Sequence, residues 1–492
     1  MRILMITPEA GPYAQTGGLG EVLSSLPAEL VKQGLEVDVF MPMYRGIVPD
    51  KYNLKRVGPL VEVDLNNSQA TAGFWEHRDR RGPRYIFLEN DHYYDREGLY
   101  GDGTTDHPDN SERFVFLCRS AIEMALATKT RYDVFHSHDW QAALTSVYLR
   151  TLYAGEPLLR ESASVLTIHN LGYQGIFWHH DMPIVGVGWE LFNPGQMEFH
   201  GKLNFLKSGI VFSDRVNTVS QGYREEILTP DFGFGLEGIL LEKGAQLSGI
   251  LNGVDYQLWN PTDDSALPAR FDSIDLSGKE ICKREFQREA GLPDEPHTPL
   301  LGMVSRLSNQ KGIDLLEGVV PWLMEQDVQL ALLGTGEDRF HKSFRELSKK
   351  YPDNISVFLK FDQDLAHRIF AASDMLIVPS RYEPCGLNQL YSLKYGAVPI
   401  VRATGGLNDT VEDFNHKKDT GTGFKFFLPQ SSSLQQSVEK ALSVYRENPD
   451  AWKRLMIRGM NLNFSWSRSA DHYREMYESA VVERRNAAAS SD

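Results

Sequence analysis

Short apolar runs alternate along most of the chain with longer stretches whose apolar positions recur every three to four residues. In the first half, residues 2–7, 36–41, 132–137, 164–168, 214–219 and 247–251 read as buried strands. Between the first two, Gly17-Gly18-Leu19-Gly20 opens a helix that carries Val22, Leu23, Leu26 and Leu30 on one face, and Gly34 ends it. Helices are also predicted over 111–127 and 140–152. Alternating positions such as Val61, Val63 and Leu65 mark residues 52–88 as added strands. Residues 91–110, rich in Tyr, Asp and Gly, read as a long functional or mobile loop.

The rhythm breaks over the irregular stretch 261–278, which has the composition of a linker, and resumes with strands at 300–304, 328–333, 355–359, 375–378 and 398–401. Strand-then-helix order on both sides of one linker predicts an α/β protein of two Rossmann-like parallel-sheet domains facing a central cleft. Thr-Gly-Gly-Leu occurs at 16–19 and again at 404–407, each time after a strand and before a helix. The echo fits two similar halves, although Gly-Gly is common at such turns.

Composition narrows the class. A chain of 492 residues has room for roughly two to four domains. Hydrophobic content of 41% and charged content of 24% are those of a soluble globular protein. Net charge is −15, from 66 acidic against 51 basic residues, which argues against a nucleic-acid partner. Cys118, Cys282 and Cys385 are too scattered for a disulfide framework or a zinc cluster and fit a reducing compartment. The first ten residues hold an apolar run broken by Thr7-Pro8-Glu9, too short for a signal peptide or a membrane span. The expectation is a cytoplasmic protein with no membrane partner.

Candidate chemistry gathers at strand ends. Pro379-Ser380-Arg381-Tyr382-Glu383-Pro384-Cys385-Gly386-Leu387 follows a buried run and leads into a helix predicted over 387–395. Free backbone N–H groups at such a helix start suit a phosphate, and Glu383 at its lip suits sugar hydroxyls. Together they point to a nucleotide sugar, while an ordinary strand–helix turn with a surface Glu has the same pattern. Ser305-Arg306-Leu307-Ser308-Asn309-Gln310-Lys311-Gly312 places Arg306 and Lys311 at the C-terminal sheet edge, where two cations offset diphosphate charge. In the first half, His136 sits inside an apolar run and reads as a core residue. Asp139 and Trp140 after it offer a carboxylate and an aromatic face for a sugar ring, and His169-Asn170 follows the next strand. Asp362-Gln363-Asp364 looks like a metal motif, but it precedes a helix and reads as an N-cap, so no metal is expected.

Taken together, these motifs resemble the bacterial glycogen synthases and plant starch synthases, retaining α-glucosyltransferases of the two-domain GT-B fold. The resemblance runs nearly end to end, and its most specific parts are 136–140, 169–175, 305–312, 380–390 and 404–410. It implies an acceptor-side domain over 1–255, a donor-side domain over 256–464, and a final segment, 465–492, whose helix returns to the first domain. It implies ADP-glucose as donor and an α-1,4-glucan primer as acceptor, with no cofactor. Arg306 and Lys311 are then expected on the distal phosphate, and Gly386 and Leu387 complete the diphosphate cradle. Glu383 holds glucose hydroxyls, and Gln15, Gly17, Gly18, Phe361, Gly405 and Gly406 complete the donor site. His169 holds the sugar 6-hydroxyl, and Asp139, Trp140 and Asn170 face the acceptor. Retention is expected by front-face attack, with the leaving phosphate helping to deprotonate the acceptor.

Four positions depart from the family pattern: Gln15 stands for a usual Lys, Glu21 for Asp, Phe361 for a frequent Tyr and Asn388 for Thr. They bear on donor choice, so three functions stay open at this point. One is a glucan synthase using ADP-glucose. Another is the same fold with UDP-glucose or a small maltooligosaccharide acceptor. The third is a weakly catalytic glucan-binding relative.

Overall fold

Strands buried on both faces have no polar side to show water, so the continuous apolar runs pair in parallel, covered by helices. The computed structural model describes residues 1–66, 68–103 and 105–490. Two units form: Met1–Val219, Arg224–Gly253 and Trp466–Asp492 make the first, Ser220–Tyr223 and Val254–Ser465 the second.

In chain order the strands of unit 1 are β1 (Arg2–Ile6), β2 (Glu36–Pro42), β3 (Lys55–Arg56), β4 (Val61–Asp64), β5 (Gln69–Arg78) and β6 (Arg84–Glu89). There follow β7 (Val134–His138), β8 (Ala163–Ile168), β9 (Ile176–Trp178), β10 (Glu198–Phe199), β11 (Lys202–Asn204), β12 (Arg215–Thr218) and β13 (Leu247–Gly249). The main sheet runs β13-β12-β8-β7-β1-β2-β6-β5-β3, with β4 also paired to β5. From β13 to β6 every neighbour is parallel; β5 then turns the edge antiparallel. Met5 lies between Val39 and His136, and His138 faces Thr167. The chain grows outward in both directions from β1, so the order reverses between β1 and β7. That is the place where open α/β sheets bind ligands, beyond the strands' C-terminal ends.

The helix Trp466–Ala489 belongs to unit 1. It buries Tyr473, Tyr477, Ala480 and Val481, on the order of 2 kcal/mol for each large side chain. Ser469 Oγ donates to Leu251 O at 2.5 Å, and Tyr477 O–H donates to His136 Nδ1 at 2.8 Å. Residues 91–110 correct an expectation. Apart from Thr104, which lies outside the described residues, this stretch is tied down rather than loose. Arg113, fully buried, donates to the carbonyls of Tyr93 and Leu99, and Arg96 pairs with Asp109 at 2.6 Å.

Unit 2 contains β14 (Leu300–Val304), β15 (Gln329–Leu333), β16 (Ile355–Phe358), β17 (Met375–Val378), β18 (Val398–Arg402) and β19 (Phe424–Phe426), all parallel in the order β16-β15-β14-β17-β18-β19. Its reversal falls between β14 and β17. Ile313, Leu316, Val320 and Leu323 of the helix Ile313–Leu323 fill the core beneath. The stretch 261–278 is irregular, as expected, up to the helix Ser277–Glu289 at its end, but instead of linking two bodies it is built into this unit. Trp259, just ahead of it, stacks 3.9 Å from both His367 and Tyr391, and Asp264 accepts from Tyr395 O–H at 2.5 Å. Buried Asp264 also pairs with His367 Nδ1 at 2.6 Å. Aromatic packing and a buried carboxylate do here what regular structure does elsewhere.

Candidate active site

In unit 2 the loops after β14 and β17 are laced together. Arg381 N donates to Gln310 O at 2.8 Å, and Asn388 Nδ2 donates to Val304 O at 2.5 Å. Within them Lys311 Nζ donates to Glu383 Oε2 at 2.6 Å, and Ser380 Oγ donates to the same oxygen at 2.7 Å. Glu383 is only 6% exposed. A buried carboxylate needs such partners to stay charged. Its Oε1 makes no hydrogen bond among the described residues, so one oxygen is committed to the protein and one remains for a ligand. Lysine carries three donors, so holding Glu383 leaves Lys311 able to meet a phosphate as well. Arg306 is exposed on the same loop as Lys311.

The glycine turns shape the floor. Gly406 N donates to Glu383 O at 3.1 Å, and a Cβ at Gly406 would lie 2.1 Å from Cys385 O, a contact no side chain tolerates. Gly405 opens the short helix Gly405–Thr410 beside it. Gly386 sits at φ +72, a left-handed conformation that favours glycine. Gln389 Nε2 then donates to Cys385 O, Gly386 O and Thr410 Oγ1 at 3.1, 3.0 and 3.1 Å, knitting the two turns. Leu387 is the N-terminal flanking residue of the helix Asn388–Lys394. Phe361 stands 85% exposed ahead of the helix Gln363–Ala372, whose first turn Asp362 caps by accepting from Leu365 N at 2.9 Å.

In unit 1 the loop after β1 carries a residue that the sequence reading passed over. Glu9, 4% exposed, accepts from Thr16 N and Thr16 Oγ1 at 2.6 Å each and from Tyr100 O–H at 2.5 Å. This carboxylate holds the glycine turn in place. Gly17 flanks and Gly18 begins the helix Gly18–Lys32. Gln15 is exposed, its amide donating to Gly17 O at 3.3 Å.

Across the switch point, Asp139 follows β7 with φ +56, a region that aspartate enters more readily than most residues. Its carboxylate accepts from His169 N at 2.7 Å and, more weakly, from Asn170 N at 3.4 Å, which ties the end of β7 to the end of β8. Burial pushes the Asp139 pKa up to about 7, against the opposing pull of those two N–H groups. His169 is 9% exposed, and burial lowers its pKa to about 3, so the ring is neutral. Asn170 Oδ1 accepts from Gly172 N at 3.0 Å.

The expectation of an open aromatic face at Trp140 fails. The ring is 9% exposed, edge-on to Phe114 at 4.9 Å and packed on Phe177 at 5.5 Å, and a Cβ on Gly175 would strike it at 2.4 Å. Trp140 is a core residue, packed among Phe114, Phe177 and Phe205.

These turns lie within two matched regions. Residues 2–242 match the starch synthase catalytic domain family, and residues 283–454 match the glycosyl transferases group 1 family. Over 98% of its length the chain is 44% identical to a glycogen synthase of Anaeromyxobacter sp. (strain Fw109-5), covering 100% of that protein. The chain belongs to the glycogen and starch synthase family. It is therefore a glycosyltransferase with the GT-B fold. A glycogen synthase of Geobacter metallireducens is 42% identical to this synthase over 98% of the chain and 97% of its own length. The catalytic domain of starch synthase IV from Arabidopsis thaliana, solved with ADP and acarbose, superposes with a TM-score of 0.91 at 32% identity, covering 98% of this chain and 99% of that one. A sucrose-phosphate synthase from Thermosynechococcus elongatus, at 17% identity and a TM-score of 0.61, shares the fold alone.

Ser380 was also passed over in the sequence, although a serine three residues before a carboxylate was a readable signal. The His-x-His spacing of His136 and His138 read only as a metal motif without a third ligand at a telling distance, although alternate residues of one strand share a face.

Proposed function

We propose that this synthase moves glucose from ADP-glucose to the non-reducing 4-hydroxyl of an α-1,4-glucan, with retention at the anomeric carbon. The observation that carries the reading is the Lys311–Glu383 pair at the switch point of unit 2, with one Glu383 oxygen uncommitted. Cation and carboxylate side by side suit a phosphate joined to a sugar. The ADP and acarbose held by the Arabidopsis relative are the chemistry of such a donor and such an acceptor.

In this reading Arg306 and Lys311 take the distal phosphate, and the backbone at Gly386 and Leu387 lines the diphosphate, with Gly17, Gly18, Gly405 and Gly406 forming the flanking turns. Phe361 stacks on the base, and Glu383 Oε1 accepts from glucose hydroxyls. His169 meets the 6-hydroxyl, while Asp139 and Asn170 serve the acceptor side. The bond from C1 to the phosphate oxygen breaks as the acceptor O4 bonds to C1 on the same face. The acceptor proton passes to the departing phosphate, and ADP leaves. No pair of carboxylates of the hydrolase type is required, and the cations offset charge on the leaving group as it forms. Among the described residues no helix is long and apolar enough to cross a membrane. We place the enzyme in the cytoplasm, where its three free cysteines stay reduced.

The test is incorporation of labelled glucose into glycogen by the purified protein, with ADP-glucose and UDP-glucose run side by side. Fast transfer from ADP-glucose alone is expected. Preference for UDP-glucose would overturn the donor assignment and leave the transferase standing. Glycogen binding with no transfer from either donor would overturn the catalytic reading.

A further inference from the structure

Three histidines of unit 1, His136, His138 and His169, form a buried row whose proton positions follow from their neighbours. Thr167 Oγ1 donates to Asn217 Oδ1 at 2.7 Å, so its own oxygen accepts from His136 Nε2–H at 2.6 Å. Tyr477 O–H fills His136 Nδ1. His136 thus has both nitrogens satisfied within the fold and is neutral, its pKa lowered to about 3 by burial. Its ring lies 4.0 Å from that of His138 with no hydrogen bond between them.

His138 is fully buried, and its Nδ1 lies 3.0 Å from His169 Nε2. Its other nitrogen, Nε2, is buried without a partner among the described residues. One proton sits in the contact between the two rings, and two arrangements place it. If His169 Nε2–H donates, the proton of His138 must sit on Nε2, as a buried N–H with nothing to meet. If His138 Nδ1–H donates, His138 Nε2 is a bare lone pair. Buried N–H groups left unpaired are rarer than acceptors left under-satisfied, so the second arrangement prevails. Burial keeps both rings from taking a second proton. Nε2 of His169 is then an acceptor, its own proton is on Nδ1, and Nδ1 makes no hydrogen bond among the described residues.

We infer that His138 is a positioning residue that fixes His169 as the Nδ1–H tautomer, so that His169 presents a donor to a hydroxyl of the transferred sugar. The inference rests on the role of His169 proposed above. The work is divided: Asp139 holds the His169 backbone through its N–H, while His138 sets the ring's tautomer and orientation. A neutral donor suits a sugar hydroxyl, and an imidazolium would add charge to a site that has no carboxylate bonded to the ring.

The experiment is nitrogen-15 NMR of the full chain with labelled histidine, together with kinetics on two variants. His138→Asn keeps an N–H donor where Nδ1 stands, and His138→Leu removes it. The wild type is expected to show His169 as the Nδ1–H tautomer. His138→Asn should keep that tautomer and a kcat within about threefold of wild type, whereas His138→Leu should shift it and lower kcat about 10- to 100-fold with little change in KM for glucan, the usual range for losing a group that orients a functional histidine. An Nε2–H signal in the wild type overturns the inference without any variant being made, and so does an Asn variant as impaired as the Leu variant. If His169→Ala transfers glucose at the wild-type rate while the tautomer is as assigned, the use of the donor is overturned through the site reading, and the two failures are told apart.

Discussion

At the switch point of unit 2 four ionisable groups stand in pairs, Lys311 with Glu383 at 2.6 Å and Arg381 with Asp314 at 2.5 Å, beside the exposed Arg306. At the switch point of unit 1 they are buried without opposite charges. His136 and His169 have their pKa values lowered to about 3 by burial, that of His138 falls well below the ordinary value for the same reason, and Asp139 rises to about 7. The two sheets share a topology and put their loops to opposite electrostatic use. Pairing preserves charge on the side proposed to hold the diphosphate. Burial disfavours charge on the side proposed to meet sugar hydroxyls, where Asp139 still ionises near neutrality.

The sharpest way to break the contrast is Lys311→Ala. It removes the cation proposed for the phosphate and leaves the buried Glu383 carboxylate with only Ser380, so the paired side becomes an uncompensated buried charge. Loss of one preorganised charge stabiliser costs about 10²- to 10³-fold in kcat, and the unpaired Glu383 carboxylate is expected to carry the loss to the upper end. Transfer of labelled glucose measures the effect; glycogen binding should persist. Turnover near wild type would sink the donor role of this loop.

Asp139 is the one group of the buried side that titrates near neutrality, and Asp139→Asn removes it. Transfer should rise with pH through about 7 in the wild type as the carboxylate forms. The variant should be about 10²-fold slower and flat over the same range. Stability should move the other way. The folded pKa lies above the ordinary 3.8, so the folded state binds the proton more tightly. The wild type therefore has its full stability below about pH 4, loses it as pH rises toward 7 and is level above that, by on the order of 4 kcal/mol. Asn accepts the same His169 N–H without ever ionising. Denaturant melts at pH 4 and pH 8 should show the variant gaining on the wild type only at the higher pH, and equal gains at both would refute the buried-charge account.

Phe361, 85% exposed, is the apolar exception on the paired side. Phe361→Ala should raise KM for ADP-glucose about tenfold, the worth of one ring stacked on a base, and leave thermal stability unchanged. An unaltered KM would detach this residue from the base. Its exposure could not be known from the sequence, and that contrast marks how much of the molecule was legible. Strands such as Met375–Val378 were readable because burial on both faces demands unbroken apolar runs. The turns around Gly386 and Gly406 were readable because backbone geometry admits few residues there. What stayed hidden was set by long-range contact. Trp140 is walled in by Phe114, Phe177 and Phe205 from separate segments, Glu9 is met by Tyr100 from 91 residues away, and the stretch taken as a linker is anchored at Trp259 by His367 and Tyr391. No local pattern records such partners.

The smallest expected effect sharpens the comparison instead of breaking it. Gln15→Lys places a cation on the side whose histidines and Asp139 are buried without opposite charges. Lysine can keep the stem that lies beside Gly20, and the exposed Gln15 amide donates only to Gly17 O, at 3.3 Å. Glu9 holds the turn through Thr16 whatever stands at position 15. An exposed cation facing a phosphate is worth about 0.2–1 kcal/mol, so kcat/KM for ADP-glucose should rise about two- to fivefold, and the gain should shrink in high salt. A rise that salt leaves untouched would mean that the side chain acts by shape rather than charge. No rise at all would mean that the turn of unit 1 does its work with backbone groups alone, and that the division between a charged and a neutral side is complete at this residue.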